Sequence, residues 1–158
     1  MNNDFWTFSL ACYGQDGVAQ SCLLLQDGRG LDVNVILYAA WLASMNKVLS
    51  GAHLAGLEAA VAPWQQRVVA PLRAQRRALQ GYSEAAKIRQ SLQALELEAE
   101  RKQQDIMWSF FLGSDDIVDS PDPLKNNLAL LWGSDHSQCA EFASLLQKLR
   151  DSQAHGWC

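Results

Sequence analysis

Most of the signatures that announce a reaction are missing from this 158-residue chain. It contains no G-x-S-x-G, H-E-x-x-H, P-loop or G-x-G-x-x-G, so it offers no nucleophile elbow, no helical zinc pair and no glycine cradle for phosphate. The four cysteines, Cys12, Cys22, Cys139 and Cys158, include no C-x-x-C, which argues against a zinc ribbon or a dithiol redox motif. Scattered cysteines and a start without a basic n-region lead us to expect a cytoplasmic protein with reduced thiols. No C-a-a-X box surrounds Cys158, so prenylation is not expected. No apolar run reaches the roughly 20 residues a bilayer-crossing helix needs. Excess positive charge is also lacking. The net charge is −4, which disfavours nucleic-acid binding as the main role. Internal repeats, low-complexity tracts and a convincing strand are absent from the pattern. Ser21 to Leu25 comes nearest to a strand and is too short and too leucine-rich.

What is present is helix. The chain is organised around Leu31 to Asn46, LDVNVILYAAWLASMN, where Asn34 is the one clearly polar side chain between Val33 and Ala43. A helix apolar on every face must be surrounded by neighbours. Asp32 follows the Gly28-Arg29-Gly30 breaker and is placed to cap the first turn. This predicts an all-α, single-domain bundle (residues 1–158) of about seven or eight helices around a buried central helix, about 32–46. The length allows such a core without disulfides or metals, and several of the six tryptophans are expected to anchor it.

Before the central helix, Asp4 is the expected cap of a helix from Phe5 to Tyr13, and a second helix spans about Val18 to Asp27. The segments DFWTFSLACYG, SCLLLQDGRGLDVNVILYAAWLA, VVAPLRAQRRAL and LEAER resemble a family of small bacterial proteins known only as a domain of unknown function. The resemblance covers most of the chain. It implies a bacterial cytosolic protein and supplies no catalytic residues to carry over.

After a short piece from His53 to Ala62, Pro63 is expected in the first turn of a helix reaching about Gln80, kinked or split at Pro71. Gly81-Tyr82-Ser83 reads as a stop followed by a new cap. The longest helix then runs from about Glu84 to Phe111, with Ile88, Leu92, Leu95, Ala99, Ile106 and Phe110 as its expected inner side. Together these form a long antiparallel hairpin, about 63–111. An acidic, proline-containing loop follows at 113–123, then helices about 124–132 and 137–152. The tail at 154–158 is expected to fray.

Charge is unevenly distributed: residues 1–60 carry −3, residues 61–104 carry +4 and residues 105–158 carry −5. If hairpin residues equidistant from Tyr82 face one another, Arg67 lies opposite Glu96, Glu98 and Glu100. Glu98 also reaches Lys102 one turn on. Arg73, Arg76, Arg77, Lys87 and Arg89 then gather near the turn with Glu84 alone to offset them. This cluster is either a solvated surface neutralised by the acidic loop or a partner- and anion-binding patch. Its arginine content favours planar pairing with carboxylate or phosphate.

Other chemistry is less supported. Glu96 and Glu100 share a helix face, but helical carboxylate metal sites add Glu-x-x-His elements from other helices, and none occurs. His136 and Cys139 lack two further ligands at zinc spacing. No metal and no cofactor is expected. Trp6, Gln26, Asn34, Tyr38 and Trp41 are a candidate pocket beside the central helix, with structural hydrogen bonding as the simpler account.

Three functions follow. The first is a non-enzymatic interaction or adaptor protein that engages another protein, or itself as a homodimer, through the basic hairpin end. Trp108, Phe110, Phe111 and Trp132, late in the chain, fit either self-association or the core. The second is a small-molecule binder or enzyme using the pocket. The third, nucleic-acid binding through the arginines, is disfavoured by the overall charge.

Overall fold

The computed structural model describes residues 3–115, 118–133 and 139–156. The fold is all-α, with helices α1 (Asp4–Tyr13), α2 (Val18–Arg29), α3 (Val33–Ser44), α4 (Gly51–Trp64), α5 (Ala70–Ala78), α6 (Ala86–Leu112), α7 (Pro123–Trp132) and α8 (Ala140–Ala154). One small ribbon departs from the all-helical expectation. Strand β1 (Lys47–Val48) pairs antiparallel with β2 (Val118–Asp119), placing part of the expected acidic loop in a ladder. The chain divides into two compact units, Met1–Leu54 with Ser114–Cys158, and Ala55–Gly113.

In the first unit every residue of α3 from Asn34 to Ala43 is buried, as an all-apolar helix requires. The Asp32 carboxylate accepts the Asn34 backbone N–H at 2.8 Å, the expected cap. At α1 the expectation is corrected: Asn3, not Asp4, is the cap, and its side-chain oxygen accepts the Trp6 N–H at 3.0 Å. Helix α3 packs against α7, α1 and α2. Phe5 of α1 meets Tyr38 edge-on with centroids 5.4 Å apart, and lies 5.3 Å from Trp41. Fully burying an aromatic or large aliphatic side chain contributes about 1.5–3 kcal/mol, so this cluster is a principal source of stability. Asn127 of α7 fastens the end of the helix to the ribbon. Its Oδ1 accepts the Leu49 N–H at 2.8 Å, while Nδ2 donates to the Ala39 and Lys47 carbonyls at 3.0 and 2.9 Å.

The second unit is the hairpin. Its first helix does not begin at Pro63 as expected. Instead α4 continues through Pro63 to Trp64, and a π-helical turn, Gln65–Val69, joins it to α5. The Ala70 N–H reaches the Gln65 carbonyl, five residues back. Pro71 has no N–H for the Arg67 carbonyl, and its ring would crowd that oxygen in a regular α-turn. The chain widens by one residue just before the proline and so stays helical.

Beyond α5 the chain turns through residues 79–82 into a 3-10 turn, Ser83–Ala85, that leads directly into α6. The cap expected at Ser83 does not form, because the Ser83 hydroxyl points to Glu84. The hairpin is antiparallel. Arg89 reaches Gln80, Arg73 reaches Glu96 and Trp64 reaches Ala99, one index rising as the other falls.

Candidate interaction surface on the helical hairpin

The buried residues of α6 are Glu96, Ala99, Gln103, Gln104 and Met107, a mostly polar set on a helix rich in leucine. Glu96 explains the choice of face. Arg73 donates from Nε to Glu96 at 2.9 Å and from Nη2 to Glu100 at 2.7 Å, and Arg76 donates from Nε to the second Glu96 oxygen. One buried carboxylate thus holds two guanidinium groups of α5. Burial alone would raise the Glu96 pKa, but hydrogen bonds from Arg76 and Arg73 outweigh it and hold the carboxyl below its ordinary value.

The pairing expected of Arg67 is therefore made by Arg73 and Arg76, while Arg67 is exposed. The reason is geometric. Helical side chains lean toward their own N-terminus. Along an antiparallel pair, α5 side chains lean away from the tip and α6 side chains lean toward it. A long arginine then meets a carboxylate whose Cα lies farther from the tip than its own.

Of the five cationic residues in the expected patch, Arg73 and Arg76 are thus engaged within the hairpin. Arg77 and Lys87 are exposed near the tip, and Arg89 is half-buried with Nη1 donating to the Gln80 carbonyl at 3.4 Å. Large apolar side chains of the hairpin also face solvent: Tyr82 is 56% exposed, Ile88 60%, Leu95 52% and Leu97 54%. Ile88 and Leu95 belong to the stripe expected to face inward, and that stripe is corrected. Ala99 is buried, while Leu92, Ile106 and Phe110 are half-buried. Helix α5 buries none of its side chains.

The candidate pocket residues have a different setting. Tyr38 is fully buried and Trp41 nearly so, with ring centroids 5.7 Å apart. The Tyr38 hydroxyl lies 2.9 Å from His53 Nε2, and the His53 N–H donates to Ser50 Oγ at 2.9 Å. Asn34 is buried, and Trp6 and Gln26 are half-buried. The sequence reading gave His53 no role. The available signal was Tyr38 itself, since a tyrosine hydroxyl in a core needs a partner.

Burial pushes the Cys12 thiol up to about 12, with Cys22 nearby adding to the effect. Burial likewise raises Cys22 to about 12, against an opposing influence from Lys148. Both are protonated structural thiols. Cys139 donates to Glu141 at 2.9 Å and accepts from Arg29 at 3.2 Å. His136 and the expected helix start at Ser137 lie outside the described residues. Among the described residues no group of three or more His, Cys, Asp or Glu is arranged to hold a metal, and no helix is long and apolar enough to cross a membrane.

Residues 4–107 match the family described as Protein of unknown function (DUF2390). The chain belongs to this family. The match takes in α1 to α5 and most of α6, so both the enclosed α3 and the Arg73–Glu96–Arg76 cluster fall within the family region. No curated protein and no solved structure matches the chain.

Proposed function

We propose that this member of the family is a cytoplasmic, non-enzymatic interaction protein whose hairpin is the docking element. One observation carries the reading: the end of the hairpin turns Tyr82 and Ile88 to solvent beside Arg77 and Lys87. Aromatic and arginine side chains are enriched where proteins bind one another, and exposed apolar groups rimmed by polar ones mark such surfaces. The cations favour an acidic partner and speed its approach. Engagement of Arg73 and Arg76 by Glu96 adds support, because it stiffens the hairpin. A rigid element loses less freedom when it docks.

The test is affinity capture from the native cell, comparing the unaltered chain with an Arg77→Glu/Lys87→Glu/Tyr82→Ala variant. All three positions are exposed, so the variant should keep its thermal midpoint. The expected result is loss of specific partners at unchanged stability. An identical set of partners for both proteins overturns the reading.

A further inference from the structure

The long helix α6 carries a second feature that the basic tip does not explain. Glu84, Ile88, Ser91, Leu95, Glu98 and Lys102 succeed one another in alternating steps of four and three, the spacing that keeps residues on one seam of a helix. Glu84 lies in the 3-10 turn leading into α6, and the other five are in the helix itself. All six are exposed. The seam therefore faces away from the ion-paired face that carries Glu96. Its charges are ordered, with an acid at one end and a base at the other.

We propose that this seam binds the same seam of a second copy of the chain, the two α6 helices running antiparallel about a two-fold axis near Gln93. In that register Glu84 of each copy faces Lys102 of the other at both ends. Leu95 faces Ser91 of the second copy, and Ile88 rests on the methylenes of its Glu98. A parallel pair would set Glu84 against Glu84 and Lys102 against Lys102, so charge selects the antiparallel arrangement. Such an interface is isologous and closes at two copies. With two apolar residues from each copy it belongs to the small class, below about 1,200 Å², and is concentration-dependent rather than permanent. The inference rests on the hairpin being a docking element and names one occupant for its long helix.

Sedimentation velocity of the full chain, from low micromolar to near-millimolar concentration, tests it. The unaltered chain should shift from monomer to dimer as concentration rises. Leu95→Glu and Lys102→Glu should each weaken self-association by at least about tenfold, equivalent to about 1.4 kcal/mol. The double reversal Glu84→Lys/Lys102→Glu should restore it. Circular dichroism melts of the same variants, altered only at exposed positions, should match the parent. A monomer at every concentration overturns the proposal, and a double reversal that stays monomeric overturns the register. Neither result bears on the tip, which the capture of partners by the Arg77→Glu/Lys87→Glu/Tyr82→Ala variant judges separately.

Discussion

Helices α3 and α6 choose their inner faces by opposite rules. Helix α3 has no polar side to offer, and its buried residues run without a break from Asn34 to Ala43. Hydrophobic burial alone decides its place, since any exposed face would leave apolar area in water. Helix α6 has several faces to choose from. It buries Glu96, Gln103 and Gln104 while leaving Ile88, Leu95 and Leu97 exposed. Its orientation follows from where Arg73 and Arg76 can reach. An ion pair at such a site contributes little net energy over an apolar substitute, yet it fixes register, because breaking it strands a charge.

The contrast predicts unequal damage from mutation. Phe5→Ala removes the ring that touches both Tyr38 and Trp41, and should cost about 4 kcal/mol in urea unfolding. A cost under about 1 kcal/mol would mean that the aromatic cluster around α3 is not the anchor described. Glu96→Gln keeps the shape but leaves Arg76 without the carboxylate it grips and Arg73 with Glu100 alone, at a cost of about 2 kcal/mol. Both arginines are partly exposed, so water recovers part of the loss and the effect stays below that of Phe5→Ala. Hydrogen exchange should localise the Glu96→Gln defect to α5 and the facing part of α6.

Acid should separate the two regions more gently. The Glu96 carboxyl has a folded-state pKa below its unfolded value, so the unfolded chain takes up the proton first as pH falls. The stabilisation is fully present above the unfolded value, about 4.3, and is lost as pH falls through the lowered folded value. Stability attributable to the cluster should be flat from neutrality to about pH 5 and decline below that. The Glu96→Gln variant should lose this part of the decline. If parent and variant show the same acid slope, the carboxylate is not the group responsible.

Helix α3 was legible because its sequence admits one solution. Continuous apolar character, the Asp32 cap and the flanking Gly30 all point to an enclosed rod starting near residue 33. The hairpin was legible as topology, since Gly81-Tyr82-Ser83 ends one helical pattern before another starts. Its register was not. Reflection about Tyr82 assigns Arg67 to the glutamates, but side chains leaning toward their own N-termini move the meeting point to Arg73 and Arg76. The inner face of α6 was misread for a related reason. Period counting weighs Ile88 and Leu95 above a glutamate, and it cannot register that a carboxylate gripped by two arginines tolerates burial. The ribbon was missed because two-residue strands have no period to detect. Asn127, whose role is to satisfy backbone groups of distant segments, looks in the sequence like any helical asparagine.

The smallest expected effect is the sharpest test of the comparison. Leu42 is fully buried in α3, whereas Leu95 is about half exposed on α6. The same substitution, leucine to alanine, can be made at both positions, and alanine costs neither helix any intrinsic propensity. At Leu42 it opens a cavity and should cost about 3 kcal/mol. At Leu95 in dilute monomer it removes little that was out of water, and the change should stay within about 0.5 kcal/mol. Matching losses at the two positions would mean that Leu95 is enclosed as Leu42 is. The inner face of α6 would then be the apolar stripe, Glu96 would turn outward, and the arginine pairs that set the hairpin register would have no buried carboxylate to hold.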